Sequence, residues 1–133
     1  MTFMKTIENP LEIHYQKLAA AVNIAPPVYE TNNTTYMVME YIDGMTLAEK
    51  YGTDPEDLPN WVWDQIKFIL RTLIEKCNLE YVDISPYNFI EKSGVIWCID
   101  YEHAKPYRGK ISNWFLKDLL TKKNLKEWNP DYA

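Results

Sequence analysis

The sequence predicts an α+β fold in one domain. Two observations predict it. Read in order, the elements run strand, helix, hairpin, helices, hairpin, helix, and hairpins set among helices argue against a parallel doubly wound sheet. The length of 133 residues, with 47% apolar and 25% charged side chains, is that of a single ordinary globular core.

Phe3 to Ile7 has the makings of a short strand. Asn9-Pro10-Leu11-Glu12 opens a helix, with Asn as N-cap, Pro in the first helical position and Glu in the first turn. Leu11, Tyr15, Leu18, Ala19 and Val22 keep helical spacing, and Pro26-Pro27 stops the helix. Val28 to Thr31 and Thr35 to Ile42 form a hairpin around Asn32-Asn33, and Asp43-Gly44 breaks its second strand. Thr46-Leu47-Ala48-Glu49 is a capping box that opens a short helix, which Gly52 closes.

Residues 53 to 60 are a loop holding two prolines. The longest helix starts at Asn60 and runs to about Asn78, with Val62, Ile66, Ile69, Leu70, Leu73 and Cys77 as its apolar stripe. Leu79 to Asn88 has no period and reads as irregular chain. Phe89-Ile90-Glu91 and Val95 to Ile99 form a second hairpin around Lys92-Ser93-Gly94, and a last helix spans Ser112 to Lys123.

Charge and cysteine usage exclude several functions. The net charge of −5 denies the chain the broad positive field that draws proteins to nucleic acid. Its one basic cluster, Lys117, Lys122, Lys123 and Lys126, reads as a solvated helix face. The longest apolar runs, such as Val95 to Ile99, are far short of the roughly 20 residues of a membrane span, and the amino terminus lacks a signal-peptide pattern. Cys77 and Cys98 match no zinc spacing and read as buried free thiols, which places the chain in a reducing, cytoplasmic compartment. Of the five tryptophans, most are assigned to the core, with an aromatic carboxyl end as a candidate partner or homodimer surface.

The stretch that carries chemistry is Tyr81 to Ile90, followed after a tight hairpin by Ile99-Asp100-Tyr101-Glu102. Phosphoryl transfer asks a protein to align the acceptor hydroxyl and to hold a metal against the triphosphate charge. Asp83 can accept or orient the hydroxyl proton. The Asn88 amide oxygen and the Asp100 carboxylate are hard ligands suited to Mg²⁺, and the hairpin brings them to one place.

These motifs resemble the protein-kinase-like superfamily. Asp83 to Asn88 stands where the family has its catalytic loop, and Asp100-Tyr101-Glu102 where it has Asp-Phe-Gly. The Asp-Tyr-Glu form looks nearer to choline kinases and aminoglycoside phosphotransferases. The resemblance implies a minimal kinase-like fold: a reduced amino-terminal lobe over about 1–42 with a short antiparallel sheet, and a reduced helical lobe over 43–133 holding the catalytic-loop hairpin. It implies ATP and Mg²⁺ as cofactors, Asp83 as the catalytic residue, and Asn88 and Asp100 as metal ligands. Backbone groups of Glu40, Tyr41 and Ile42 would meet adenine, Met39 would guard the back of the pocket, and Lys5 with Glu12 would be the phosphate-binding ion pair. The chain as given carries no glycine-rich loop before Lys5, and the 33 residues after Asp100 leave no room for an activation segment with its anchor.

Plainer readings stand beside these. Asp, Ser, Pro and Asn are turn formers, Glu12 can cap its helix, and Lys5 can be a solvated lysine. His14 and His103 are assigned to packing or surface. Two functions remain open: an ATP- and Mg²⁺-dependent phosphotransferase of unknown acceptor, and a non-catalytic kinase-like module that binds a protein partner with or without nucleotide.

Overall fold

The computed structural model describes residues 1–132. Its elements, in chain order, are β1 (Thr2–Thr6), α1 (Leu11–Ala21), β2 (Val28–Thr31), β3 (Tyr36–Glu40), β4 (Met45–Thr46), α2 (Leu47–Tyr51), α3 (Asn60–Cys77), β5 (Leu79–Glu80), β6 (Phe89–Lys92), β7 (Val95–Cys98), β8 (Lys105–Pro106) and α4 (Trp114–Thr121). The α+β class and the order of the main elements are those the sequence predicts.

Local chemistry accounts for the element ends. The Leu11 N–H donates to Asn9 Oδ1 at 3.1 Å, so Asn9 serves the start of α1. The capping box of α2 is complete: Glu49 N–H donates to Thr46 Oγ1 at 3.1 Å and Thr46 N–H to Glu49 Oε1 at 3.0 Å. Helix α3 ends on Asn78 in the left-handed region, φ 53°. The β6–β7 turn is tighter than expected, with Ser93 and Gly94 both at positive φ, as a two-residue turn of this twist requires.

The differences from the sequence expectation are short or non-local. Residues 79–80 are not irregular but pair antiparallel with β8. Helix α4 is shorter than Ser112 to Lys123, because Asn113 caps it by accepting from Leu116 N–H at 2.9 Å.

Three small sheets result, ordered β1-β3-β2, β4-β6-β7 and β5-β8. Gly44 lies where β4 meets β6: a Cβ there would fall 2.4 Å from the Glu91 carbonyl oxygen, so only glycine fits. The main core gathers the α3 stripe, Phe89, Ile96 and Cys98 from the second hairpin, and Phe115 and Leu116 from α4. Each fully buried large aliphatic side chain there contributes about 1.5–3 kcal/mol. A smaller cluster, Ile7, Ile13, Met37 and Met39, lies under the first sheet. Helix α1 serves both, giving Ile13 to the small cluster and Tyr15 and Ala19 to the large one. Cys77 and Cys98 are free and buried, and burial pushes the Cys98 thiol up to about 12. Among the described residues no helix is long and apolar enough to cross a membrane.

Candidate functional site

The β6–β7 register pairs Phe89 with Cys98. One step further out, Ile99 N–H donates to the Asn88 carbonyl at 2.9 Å. The hairpin therefore delivers Asn88 and Asp100 to the same end, as the spacing predicts. Asn88 Nδ2 donates to the Asp83 carbonyl at 2.9 Å, which leaves its Oδ1 as the open hard-donor atom of that amide.

The loop carrying Asp83 is fixed from several sides. The Tyr81 hydroxyl donates to the Ile99 carbonyl at 2.6 Å. Asn129, fully buried, donates from Nδ2 to the Val82 carbonyl at 2.8 Å and from its backbone N–H to the Ile84 carbonyl at 2.9 Å. Ala48 N–H donates to the Pro86 carbonyl at 3.0 Å. Tyr101 is buried and donates to the Cys98 carbonyl at 3.2 Å, so the aromatic after Asp100 packs as expected. Asp100 itself takes φ 65°, a left-handed conformation that aspartate tolerates better than most residues.

Lys5 reaches this end of the hairpin from β1. It pairs with the buried Glu12 of α1 and stands 3.4 Å from Asp100 Oδ1. Lys5 is thus no free surface lysine, and Glu12 faces inward instead of capping its helix.

One cavity of about 320 Å³ joins these parts. Phe3, Lys5, Pro26, Met39, Glu40, Tyr41 and Ile42 from the amino-terminal part line it together with Asn88, Ile90, Ile99 and Asp100 of the second hairpin and its flanks. That size and that mostly apolar wall suit a small-molecule ligand. Glu12 and Asp83 do not line it: Glu12 acts through Lys5, and Asp83 lies beside Asn88, half-buried.

Backbone pairing narrows what the segment 40–42 can offer. Glu40 N–H donates to the Pro27 carbonyl and Tyr41 N–H to the Met1 carbonyl, each at 3.0 Å. The Ile42 N–H donates to no backbone carbonyl of the described residues. Met39 is held from behind by Gln16, whose Nε2 donates to the Pro26 carbonyl at 2.9 Å and lies 3.4 Å from the Met39 sulfur.

The charges around the cavity do not balance. Burial pulls the Lys5 pKa down, but the hydrogen bond to Glu12 and the charge of Asp100 outweigh it and hold it above the ordinary lysine value. Burial raises the Glu12 carboxyl above its ordinary value against the pull of Lys5, with Asp100 and Glu102 adding to the rise. Burial and then the charge of Asp100 raise Asp83, opposed by His103 and the Asn88 amide. One lysine, Lys5, thus serves two carboxylates, Glu12 and Asp100, while Asp100 also acts on Asp83. No group of three or more His, Cys, Asp or Glu among the described residues is arranged to hold a metal. The donor set is a carboxylate and an amide oxygen, which fits Mg²⁺, an ion that takes one or two protein ligands and completes its shell from water and phosphate.

A family model for the RIO domain matches residues 6–120. The chain belongs to the RIO-domain family. RIO domains are atypical members of the protein-kinase-like superfamily, a nucleotide-using phosphotransferase group, so the kinase-like resemblance holds at that level. The nearer likeness to choline kinases and aminoglycoside phosphotransferases is not shown. No curated protein matches the sequence significantly.

Sequence reasoning missed several residues of this RIO domain's site. Gln16 had a signal, since it follows Glu12 by four residues and both polar side chains fall on the inward face of α1. Phe3 and Pro26 had none, because their place at the cavity follows from sheet register alone. Asn129 had none either, lying 46 residues beyond Asp83.

Proposed function

We propose that this RIO domain is an ATP- and Mg²⁺-dependent phosphotransferase. One observation supports it above the others: the segment 39–42, Lys5, Asn88 and Asp100 line a single cavity. In this reading Met39 backs the adenine, the Ile42 N–H and the Glu40 carbonyl meet its edge, and the Tyr41 N–H is already spent on Met1. Lys5, steered by Glu12, contacts phosphate oxygens. Asn88 Oδ1 and the Asp100 carboxylate hold the metal, which neutralises the triphosphate charge when bound. Asp83 orients the acceptor hydroxyl and takes its proton. Burial and the charge of Asp100 raise its pKa, which makes it a better base than an exposed aspartate. The two apolar clusters support a division into two lobes near residue 42, with α1 bridging them.

The test is thermal melting with ATP, with and without Mg²⁺. Metal-dependent stabilisation is expected, reaching about 2.7 kcal/mol at a hundredfold excess over Kd, and Asp100→Ala abolishes it. Asp83→Ala retains the binding and loses ATP turnover. Stabilisation by Mg²⁺·ATP with no turnover in the wild type would favour the non-catalytic module. No stabilisation at millimolar nucleotide removes the nucleotide reading altogether.

A further inference from the structure

A second cavity, of about 340 Å³, lies between α3 and the chain leaving α4. None of the residues lining it lines the nucleotide cavity. Lys67, Arg71, Lys122 and Lys123 line it, with Asp64 as the one acidic residue of α3 beside them. In a chain of net charge −5 this is an unusual concentration of cations.

Lys67 is the informative residue. It is only 8% exposed, yet it has no carboxylate within ion-pair distance among the described residues. Its one hydrogen bond is to the Lys123 carbonyl, at 3.3 Å. Arg71, at an exposed position, likewise makes one 3.4 Å contact, to the Leu120 carbonyl. These contacts cover carbonyls at the end of α4, a common duty for a cation. They use one of three donors on Lys67 and one of five on Arg71. Lys122 is shared with Asp118 at 3.3 Å, and Lys126 donates to Asn60 Oδ1. Burial first, then the charges of Arg71 and Lys126, push the Lys67 pKa down against the pull of Asp64. A partly desolvated cation among other cations, with donors to spare, favours an anion beside it.

We infer that this cleft is a binding site for a phosphate dianion, held by Lys67 and Arg71 and closed by Lys123. A guanidinium fork beside an ammonium matches the three acceptor oxygens of such a group. The group is either free phosphate or the phosphate of a phosphorylated side chain. The inference is independent of catalysis in the nucleotide cavity. It also gives Lys122 and Lys123 of the basic cluster a part beyond a solvated helix face, since they line the cavity together with Lys67 of α3.

The test is an NMR titration of the full ¹⁵N-labelled chain with inorganic phosphate at constant ionic strength, with chloride and acetate as controls. Saturable shifts are expected at the amides of Thr121 to Lys123 and around Lys67 and Arg71. They persist in Lys5→Met, which separates this site from the nucleotide cavity. Arg71→Gln, at an exposed position, weakens binding about tenfold, and Lys67→Met, which keeps the packed stem, weakens it at least as much. Shifts that chloride or acetate reproduce, or that both variants leave unchanged, overturn the proposal. A phosphoserine peptide that binds more tightly than inorganic phosphate, with its unphosphorylated form silent, supports the site and assigns the phosphate to a phosphorylated side chain. Equal or weaker peptide binding supports it with the free anion as the source.

Discussion

Asp83 and Asp100 show how one residue type takes two roles through its surroundings. Asp100 shares Lys5 with Glu12 and sits at a backbone angle that only a few residue types accept readily. Asp83 has no cation in ion-pair contact among the described residues, and burial and Asp100 both disfavour its charge. A carboxyl whose folded-state pKa is raised contributes fully to stability below its unfolded value. That contribution is lost as pH rises through the folded value. Ionisation of Asp83 therefore works against folding. In metal-free buffer, Asp83→Asn is expected to raise the urea midpoint at pH 7. The advantage should shrink steadily toward about pH 4, the ordinary aspartate value. A difference that stays constant with pH would show that the substitution acts through packing and not through charge. The residue pattern made Asp83, Asn88 and Asp100 legible in advance, because hairpin spacing is local information. The electrostatic burden on Asp83 was not, because it comes first from burial and then from the charge of Asp100, and the depth of burial is set by the packed fold and not by local sequence.

At the scale of elements, structure built from neighbouring residues was readable and structure built across the chain was not. The capping box of α2, the α3 stripe and the β6–β7 hairpin each rest on a few consecutive residues. The β5–β8 pairing joins Leu79 with Pro106 and Glu80 with Lys105, two residues a side, with no period to detect. Glu80 belongs to this hidden layer. It is 1% exposed, and its carboxylate accepts from Ser112 N–H at 2.9 Å, Asn113 N–H at 3.0 Å and the Ser112 hydroxyl. Those backbone donors lead into α4, so a buried anion placed there satisfies them and complements the positive end of the helix. Glu80→Ala leaves these part-buried donors without their carboxylate. It should cost about 3 kcal/mol in urea denaturation, at charged hydrogen-bond values of about 1.5–3 kcal/mol each less what water recovers. Glu80→Gln keeps an acceptor and should cost roughly half as much. Equal losses for both variants would mean that the shape of the side chain matters and the acceptor does not.

Across the whole molecule the two apolar clusters are unequal, and the site lies against the weaker one. Strand β1 brings Phe3 and Lys5 to the cavity, yet it is an edge strand paired only with β3, and all its side chains but that of Lys5 are exposed. Helix α3 buries Val62, Trp63, Ile66, Leu70 and Leu73 in the large core. Few buried contacts mean a low free energy of local opening, while the centre of a core opens only with the whole protein. Hydrogen exchange should therefore show the β1 amides bonded to β3 opening well before those of α3. A ligand that touches Phe3, Lys5 and the segment 39–42 at once ties β1 to the rest of the molecule. Mg²⁺·ATP is then expected to slow exchange in β1 strongly and to leave relative protection within α3 unchanged. Asp100→Ala should lose that slowing, and Arg71→Gln, at a residue that lines the other cavity, should keep it. If β1 and α3 instead exchange together without ligand, the two clusters unfold as one unit. The cavity would then be a preformed feature of the whole domain, not one completed when β1 closes on its ligand.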